Sequence, residues 1–312
     1  MRMPRSGAFV FCVGLSLISV AANAQTFKFQ SVGFVTPAAI NASGTIAGSF
    51  CCSYVAGFDG AQPESHGFSL QLTSQVFTVA EPMGGGGGFA TGIAPNGDVV
   101  GGFCPPIFAC YGDNAVHGYL FSAVSNSAVQ IDVPGAIATL AGGINKSEQI
   151  VGMSCNTETC SLSYASESHG FELDHFGGTF TTIDFPNALG TAAAAINDAG
   201  EIVGNYLACF GQPCVRAQGH GFLLSGGNYT RLDPPGSQAT TVSAINNSGE
   251  IVGAYLDGSN KTHGFLFKAG VFTNVDFPGA SSTVVTGVND QGQIVGWARI
   301  NSITENFIGT PQ

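Results

Sequence analysis

Short apolar runs alternate with turns rich in glycine and asparagine along most of this chain. One phrase recurs six times, in nonamers that start at Ile40, Ile93, Ile144, Ile196, Ile245 and Val288. The clearest copies read INDAGEIVG, INNSGEIVG and VNDQGQIVG. Asparagine can bond the backbone of its own turn and glycine tolerates positive φ, so each nonamer predicts a hairpin turn between two apolar strands.

Two further markers keep a nearly fixed distance from the nonamers. An acidic residue stands twelve positions before five of them, at Glu81, Asp132, Asp184, Asp233 and Asp276, and Lys28 holds the same place before Ile40. A His-Gly-aromatic triplet precedes each acidic residue by thirteen or fifteen positions, with its histidine at His66, His117, His169, His220 and His263. The alternation of side chains along a strand puts His263, Phe265 and Phe267 on one face.

Each unit therefore contains four short strands, and a four-stranded sheet must stack on its neighbours to cover both faces. We predict an all-β fold, a six-bladed β-propeller of four-stranded blades forming a single domain over residues 25–312. The N- and C-terminal strands are expected to close the ring. The mature chain begins part way through a unit, because no His-Gly-aromatic strand precedes Lys28, and Glu305-Asn306-Phe307 stands about where a last such strand would fall. An open β-solenoid is the alternative, and it would not need complementary ends.

The combination of His-Gly-Phe, Asp-Phe-Pro-Gly and Ile-Asn-x-x-Gly-x-Ile-Val-Gly resembles the bacterial probable extracellular repeats named HAF after a His-Ala-Phe signature. The resemblance covers nearly all of residues 27 to 309, although glycine replaces the middle alanine in all five triplets. It implies a secreted repeat protein, and it carries over no catalytic residue.

The first 24 residues have the layout of a signal peptide. Arg2 and Arg5 precede an apolar stretch that is too short to span a bilayer, and Ala22-Asn23-Ala24 forms a small-residue cleavage site. We expect a secreted or periplasmic chain that starts at Gln25 and has no membrane insertion. Its net charge falls from −11 to about −13 once two of the nine basic residues are removed, which makes nucleic acid a poor partner.

Eight cysteines remain in four successive units, each pair between an Ile-Val-Gly-type strand and the next His-Gly strand: Cys51 and Cys52, Cys104 and Cys110, Cys155 and Cys160, Cys209 and Cys214. An even count in an exported protein favours disulfides. Pairing of the two cysteines within one connection would cross-link each loop, and Cys51-Cys52 would be either a vicinal disulfide bridge or two thiols.

The cysteine-bearing connections also vary in length, whereas the twelve-residue spacing is constant. We call the side of the molecule that collects residues 49–65, 102–116, 153–168, 205–219 and 254–262 the loop face. Long stapled loops on a rigid scaffold are common binding surfaces. Weak binding candidates there are Tyr54, Phe108, Tyr111, Tyr164, Phe210 and Tyr255. The third unit departs from the repeat at Glu172, Asp174 and His175, which are further weak candidates.

The repeated histidines and acidic residues are interpreted as structural, in hydrogen bonds that pin strands and loops together. No His-x-x-x-His or Cys-x-x-Cys spacing and no Gly-x-Ser-x-Gly elbow occurs, so we predict no metal, cofactor or catalytic residue. The favoured hypothesis is a non-enzymatic binding or scaffold module for an extracellular glycan, cell-wall component or protein. The alternative is a polymer-acting hydrolase or lyase that uses carboxylates and histidines facing the central channel.

Overall fold

The computed structural model describes residues 26–33, 35–51, 65–82, 87–104, 116–156, 167–210 and 216–312, and the predicted signal peptide lies outside them. These described residues form strands and turns without a helix. Among them, no segment has the helical length and hydropathy needed to cross a bilayer. The all-β prediction is confirmed.

The strands group into four-stranded units in which neighbouring strands are antiparallel. The first unit contains β2 (Thr36–Ile40), β3 (Thr45–Cys51), β4 (Ser65–Gln71) and β5 (Val76–Val79). The second contains β6 (Gly88–Ile93), β7 (Val99–Phe103), β8 (His117–Ser122) and β9 (Ser127–Ile131). The third contains β10 (Ala138–Ile144), β11 (Ile150–Cys155), β12 (Ser168–Leu173) and β13 (Phe180–Ile183).

The fourth unit contains β14 (Gly190–Ile196), β15 (Ile202–Phe210), β16 (Arg216–Ser225) and β17 (Asn228–Leu232). The fifth contains β18 (Ala239–Ile245), β19 (Ile251–Leu256), β20 (Thr262–Lys268) and β21 (Val271–Val275). The terminal unit joins β22 (Ser282–Val288), β23 (Ile294–Ile300) and β24 (Ile303–Pro311) to the N-terminal β1 (Phe27–Gly33). One parallel bridge, between Thr262 and Ser282, links the fifth and terminal units.

The two ends of the chain meet within the terminal unit. β24 pairs with β23 on one side and with β1 on the other, with Phe29 opposite Gly309. The Phe29 ring lies 5.1 Å from that of Phe307 and 5.0 Å from that of Phe277, measured between ring centroids. The complementary ends expected from the sequence are thus hydrogen-bonded to each other, with the N-terminal strand outermost.

The apolar core lies between successive units. Val100, Leu120 and Ile131 of the second unit share a buried cluster with Ile150 and Phe171 of the third. Each unit also contributes one fully buried ring from its third strand, at Phe68, Tyr119, Phe171, Phe222, Phe265 and Phe307. Because these rings share buried clusters with residues of a neighbouring unit, the stacking of units contributes hydrophobic stabilisation.

Each nonamer forms the predicted turn, and asparagine holds the turn together. In the fourth unit the Asn197 side-chain oxygen accepts hydrogen bonds from the backbone N–H groups of Ala199 and Glu201, at 3.0 and 2.9 Å. Gly200, which follows Ala199 in the turn, has a φ of +77°, a value that glycine adopts without strain. The first, third, fifth and terminal units repeat the asparagine bonds at Asn41, Asn145, Asn246 and Asn289.

The same asparagines also link one unit to the next. The amide nitrogen of Asn246 donates to the carbonyl oxygen of Asn289 at 2.9 Å, and Asn289 donates to the carbonyl oxygen of Asn41 at 3.1 Å. Equivalent bonds run from Asn41 to Ala94, from Asn145 to Asn197 and from Asn197 to Asn246. The second unit has Ala94 in this place and therefore cannot donate. One side chain thus fixes both its own turn and the position of its neighbour.

A β-bulge in each first strand explains the glycine after the Ile-Val pair. In β14 the register shifts between Ala193 and Ala195, and this brings the carbonyl oxygen of Ala192 against Gly204. A Cβ atom at Gly204 would collide with that oxygen. The glycine of the His-Gly-aromatic triplet is constrained in a similar way, since a Cβ at Gly118 would lie 2.7 Å from the carbonyl oxygen of Ile131. Alanine in the triplet would therefore require the backbone to shift.

Replacing Asn246 by Ala should lower the free energy of unfolding by about 1 to 3 kcal/mol, because two backbone N–H groups and one carbonyl lose their partner in a buried turn. Equilibrium urea unfolding measures this change. Asn228→Ala is the matched control, since Asn228 is exposed at the start of β17 and should change stability by less than about 0.5 kcal/mol. Equal effects of the two substitutions would contradict the linking role of Asn246.

Candidate functional site

Five histidine–carboxylate pairs lie beneath the loop face. Each histidine lies in the N-terminal half of the third strand of its unit, and the acidic residue follows the fourth strand. The distances from Nδ1 to the nearest carboxylate oxygen are 2.6 Å for His66–Glu81, 2.9 Å for His117–Asp132, 2.9 Å for His169–Asp184, 2.8 Å for His220–Asp233 and 2.7 Å for His263–Asp276. Each pair therefore ties the outer two strands of a unit together at the end where the variable loops emerge.

Four of these pairs are covered by an aromatic ring on the second strand. The ring lies opposite the histidine in the strand register, and the ring centroids are 5.3 to 5.7 Å apart. The covering residues are Phe50 over His66, Phe103 over His117, Tyr206 over His220 and Tyr255 over His263. The motif spacing did not predict this role for Phe50, Phe103 and Tyr206. The signal was available, since all four aromatic residues stand two positions after the glycine of the Ile-Val-Gly-type strand start.

Polar side chains reinforce two of the pairs from the fourth strand. Gln130 Nε2 lies 3.1 Å from His117 Nδ1 and donates to Asp132. In the fourth unit Arg231 bonds Asp233, with its second guanidinium nitrogen 3.0 Å from His220 Nδ1. These residues occupy the position two before the acidic residue, so alternation places them on the same face of the sheet as that residue.

The electrostatics of the His220–Asp233 pair favour a charged carboxylate. Burial alone would raise the pKa of Asp233, but hydrogen bonds from Thr240 and Arg231 and the nearby His220 outweigh it and hold the pKa below its ordinary 3.8. Its contribution to stability is therefore present above pH 3.8 and is lost as the pH falls through the lower, folded-state pKa. In the fifth unit, hydrogen bonds from Lys261 and Ser259 lower the pKa of Asp257 to about 2.

The central cavity has a different chemistry from the pairs. The first strands β2, β6, β10, β14, β18 and β22 line it with small or apolar residues, among them Ala38, Thr91, Gly142, Ala194, Ser243 and Thr286. The described residues that line it include no histidine or carboxylate. Thr286 bonds the carbonyl oxygen of Pro37 at 2.8 Å, and Thr91 bonds that of Ala141 at 2.6 Å. The hydroxyl groups in the cavity thus connect neighbouring units.

The described residues contain no group of three histidine, cysteine or acidic side chains that could hold a metal ion. Each pair supplies one imidazole and one carboxylate. Such a pair can accept and donate hydrogen bonds, but a nucleophile within hydrogen-bond reach would be needed for covalent catalysis. The chemistry that the pairs support is therefore strand fixation and, where a pair is exposed, ligand recognition.

The predicted aromatic binding candidates fall mostly outside the described residues. Tyr54, Phe108, Tyr111 and Tyr164 lie there, and the Phe210 side chain does so too, although its backbone ends β15. Tyr255 is described. Its ring stacks on His263 and its hydroxyl donates to Asn274 at 3.0 Å, so it belongs to the fifth pair.

Glu172, Asp174 and His175 do not join the loop face. Glu172 accepts a hydrogen bond from Gln149 at 2.9 Å, close to the asparagine turn of the third unit. Asp174 accepts from the Thr179 backbone at 2.7 Å and lies 3.1 Å from His175 in the turn that follows β12. The departure of these residues from the repeat is accounted for by local turn contacts at the opposite end of the unit.

Cys51, Cys155 and Cys209 lie at or near the ends of the second strands β3, β11 and β15, and Cys104 directly follows β7. The sequence predicts local disulfides for Cys104, Cys155 and Cys209. The partners predicted for them, Cys110, Cys160 and Cys214, lie outside the described residues, as do Cys52 and the side chain of Cys51. The local pairing scheme therefore stays a prediction.

Comparison with known proteins identifies the architecture. No protein-family model and no curated protein matches the chain. Among solved structures, it is similar to the beta-propeller domain of the Trilobed protease from Pyrococcus furiosus, at 12% identity and a TM-score of 0.51, with 89% of this chain and 83% of that chain covered. A protein of unknown function from Dyadobacter fermentans gives 10% identity and a TM-score of 0.52, over 91% and 99%.

A third similar structure is the Trypanosoma rangeli sialidase, at 9% identity and a TM-score of 0.51, over 96% of this chain and 60% of that one. At such identities the likeness concerns the fold alone. The described four-stranded units are thus arranged as in a β-propeller.

Replacing His220 by Ala should cost about 1 to 3 kcal/mol of unfolding free energy, because the His220 and Asp233 side chains are only 5% and 11% exposed and Asp233 would lose a partner. His169→Ala is the matched substitution in an exposed pair, and it should cost less than about 1 kcal/mol because water replaces the lost contact. Urea unfolding of both variants tests this order. A larger loss in His169→Ala would overturn the structural interpretation of the buried pairs.

Proposed function

We propose that this chain is a secreted, non-enzymatic binding or scaffold protein built as a closed, six-bladed β-propeller. Three observations support closure. β1 and β24 form one antiparallel pair, Asn289 donates to the carbonyl oxygen of Asn41, and the first strands of all the units line one cavity. A ring closed in this way leaves only the short outermost strand of each unit with an unpaired edge, which suits a stable extracellular scaffold.

The placement of the histidine–carboxylate pairs carries the non-enzymatic part of the proposal. A hydrolase or lyase that works from the channel needs carboxylates or histidines converging there. The described pairs lie instead between the third and fourth strands, and the residues lining the cavity are small or apolar. This arrangement favours architecture and binding over channel catalysis.

The binding surface in this proposal is the loop face. Disulfides Cys104–Cys110, Cys155–Cys160 and Cys209–Cys214 would each close a short loop, and loops held in one shape lose less conformational entropy on binding. The connections from each fourth strand to the next unit emerge at the same face, since the backbone N–H of Gln238 bonds the carbonyl of Leu256.

Export and partner class follow from the sequence. The signal-peptide pattern supports a secreted or periplasmic location, and the motif combination supports membership of the HAF-type repeats. The partner we propose is an extracellular glycan, a cell-wall component or a protein. The acidic net charge argues against nucleic acid.

Binding should depend on the aromatic residues of the loop face. Screening of glycan arrays and envelope extracts identifies the partner, after which Tyr111→Ala, Tyr164→Ala and Phe210→Ala should each weaken binding by about tenfold, equivalent to about 1.4 kcal/mol. Val124→Ala is the control, since Val124 is 90% exposed in the turn after β8, at the other end of its unit.

Protection mapping of the bound complex gives a second readout. We expect the footprint of the partner on the loop face and an unchanged affinity for the partner in Val124→Ala. A footprint on the turns at the opposite end would contradict the assignment. Turnover of a polymer by the purified protein would favour the hydrolase alternative.

A further inference from the structure

The third unit leaves its histidine–carboxylate pair open to solvent. The side chains of His169 and Asp184 are 49% and 46% exposed. No other histidine of the five pairs exceeds 26%, the value for His117. Because the five units share one architecture, this difference originates in the residues around the pair.

The first difference is the missing ring. Ser154 lies directly opposite His169 in the β11–β12 register, where the other four units place Phe50, Phe103, Tyr206 and Tyr255. Opposite residues of an antiparallel pair share one face of the sheet, so Ser154 stands beside an imidazole that carries no aromatic cover. Ser154 is only 7% exposed, and within the described residues its hydroxyl makes no hydrogen bond.

The second difference is the absence of a long polar side chain on the fourth strand. Gln130 and Arg231 reach the pairs of the second and fourth units from two positions before the acidic residue. The same position in the third unit holds Thr182, whose short side chain makes no hydrogen bond to His169 or Asp184. In the third unit, small hydroxyl residues therefore replace both the aromatic ring that covers the other four pairs and the polar side chain that contacts two of them.

We propose that His169, Asp184 and Ser154 form a binding site for a neutral sugar residue on the loop face, an inference that rests on the binding function proposed above. Asp184 accepts hydrogen bonds from sugar hydroxyls, and the imidazole Nε2 and the Ser154 hydroxyl bond to others. The uncovered face of the imidazole takes the place of a stacking surface for the apolar C–H face of the sugar ring. An anionic ligand is disfavoured by the Asp184 carboxylate.

The repeat itself explains why a site arises here. Elsewhere the aromatic ring occupies the imidazole face and so excludes any ligand from the pair. In the third unit the same framework bond holds His169 in place, with Nδ1 2.9 Å from Asp184, while much of the imidazole and of the Asp184 carboxylate stays accessible. A histidine fixed in advance loses little rotamer entropy when a ligand binds.

The test uses the full mature chain and the methyl glycosides of glucose, galactose and mannose, with their β-linked disaccharides. Titration is followed by the imidazole NMR signals of the six histidines. One of these sugars should shift the His169 signal and leave those of His117 and His220 unchanged. Ser154→Tyr, which restores the ring found in other units, and Asp184→Asn should each weaken this binding by about tenfold or more.

Asp132→Asn is the matched control, because it changes the carboxylate of a ring-covered pair and should leave sugar affinity within about twofold. Urea unfolding establishes that each variant is folded. Unchanged affinity in folded Ser154→Tyr and Asp184→Asn, or no His169 shift with any sugar of the set, would overturn this site. Continued binding of the wild-type protein to a glycan or envelope partner in either case would leave the broader binding proposal standing.

Discussion

The asparagine at the start of five of the six turns is the interaction on which the architecture depends. Its oxygen closes the hairpin that joins the first and second strands, while its nitrogen bonds the next unit at the same position. One side-chain amide can make both the bonds within its own turn and the bond to the next unit only if successive units stand at one fixed distance and angle. The constant twelve-residue spacing before each nonamer is the sequence counterpart of this geometric requirement.

Local features of this structure were predictable from the sequence because they are repeated and short in range. The turns, the four strands of each unit and the joining of the two chain ends follow from turn chemistry and from counting. The His220–Asp233 pairing was reachable in the same way, because equal spacing in every unit indicates an equivalent position. These properties need no knowledge of how one strand registers with another.

The covering rings and the role of the β-bulges could not be predicted in this way. They depend on strand register, which the spacing of the motifs does not determine. The covering of His66 by Phe50 requires knowledge of which residues of β3 and β4 lie opposite each other. The bulge in each first strand likewise explains Gly204 only once the position of the Ala192 carbonyl is known. For the same reason Glu172 and His175, close in sequence to His169, occupy the other end of the unit.

A framework that satisfies its polar groups internally allows its variable parts to diverge. Apolar burial between units and the histidine–carboxylate pairs hold the strand ends from which the loops emerge. The loops can then change in length without loss of the sheet. In the third unit the framework itself has diverged in this way. Ser154 and Thr182 leave the His169–Asp184 pair uncovered, while the hydrogen bond within the pair is kept.

Closure of the ring by β1 and β24 is the central claim, and native-state hydrogen exchange tests it most directly. Peptides covering residues 26–33 should be protected as strongly as those covering β17, another outermost strand, and should open only with global unfolding. Exchange of residues 26–33 at the rate of an unstructured chain, with β17 still protected, would contradict a closed propeller and favour an open array of units.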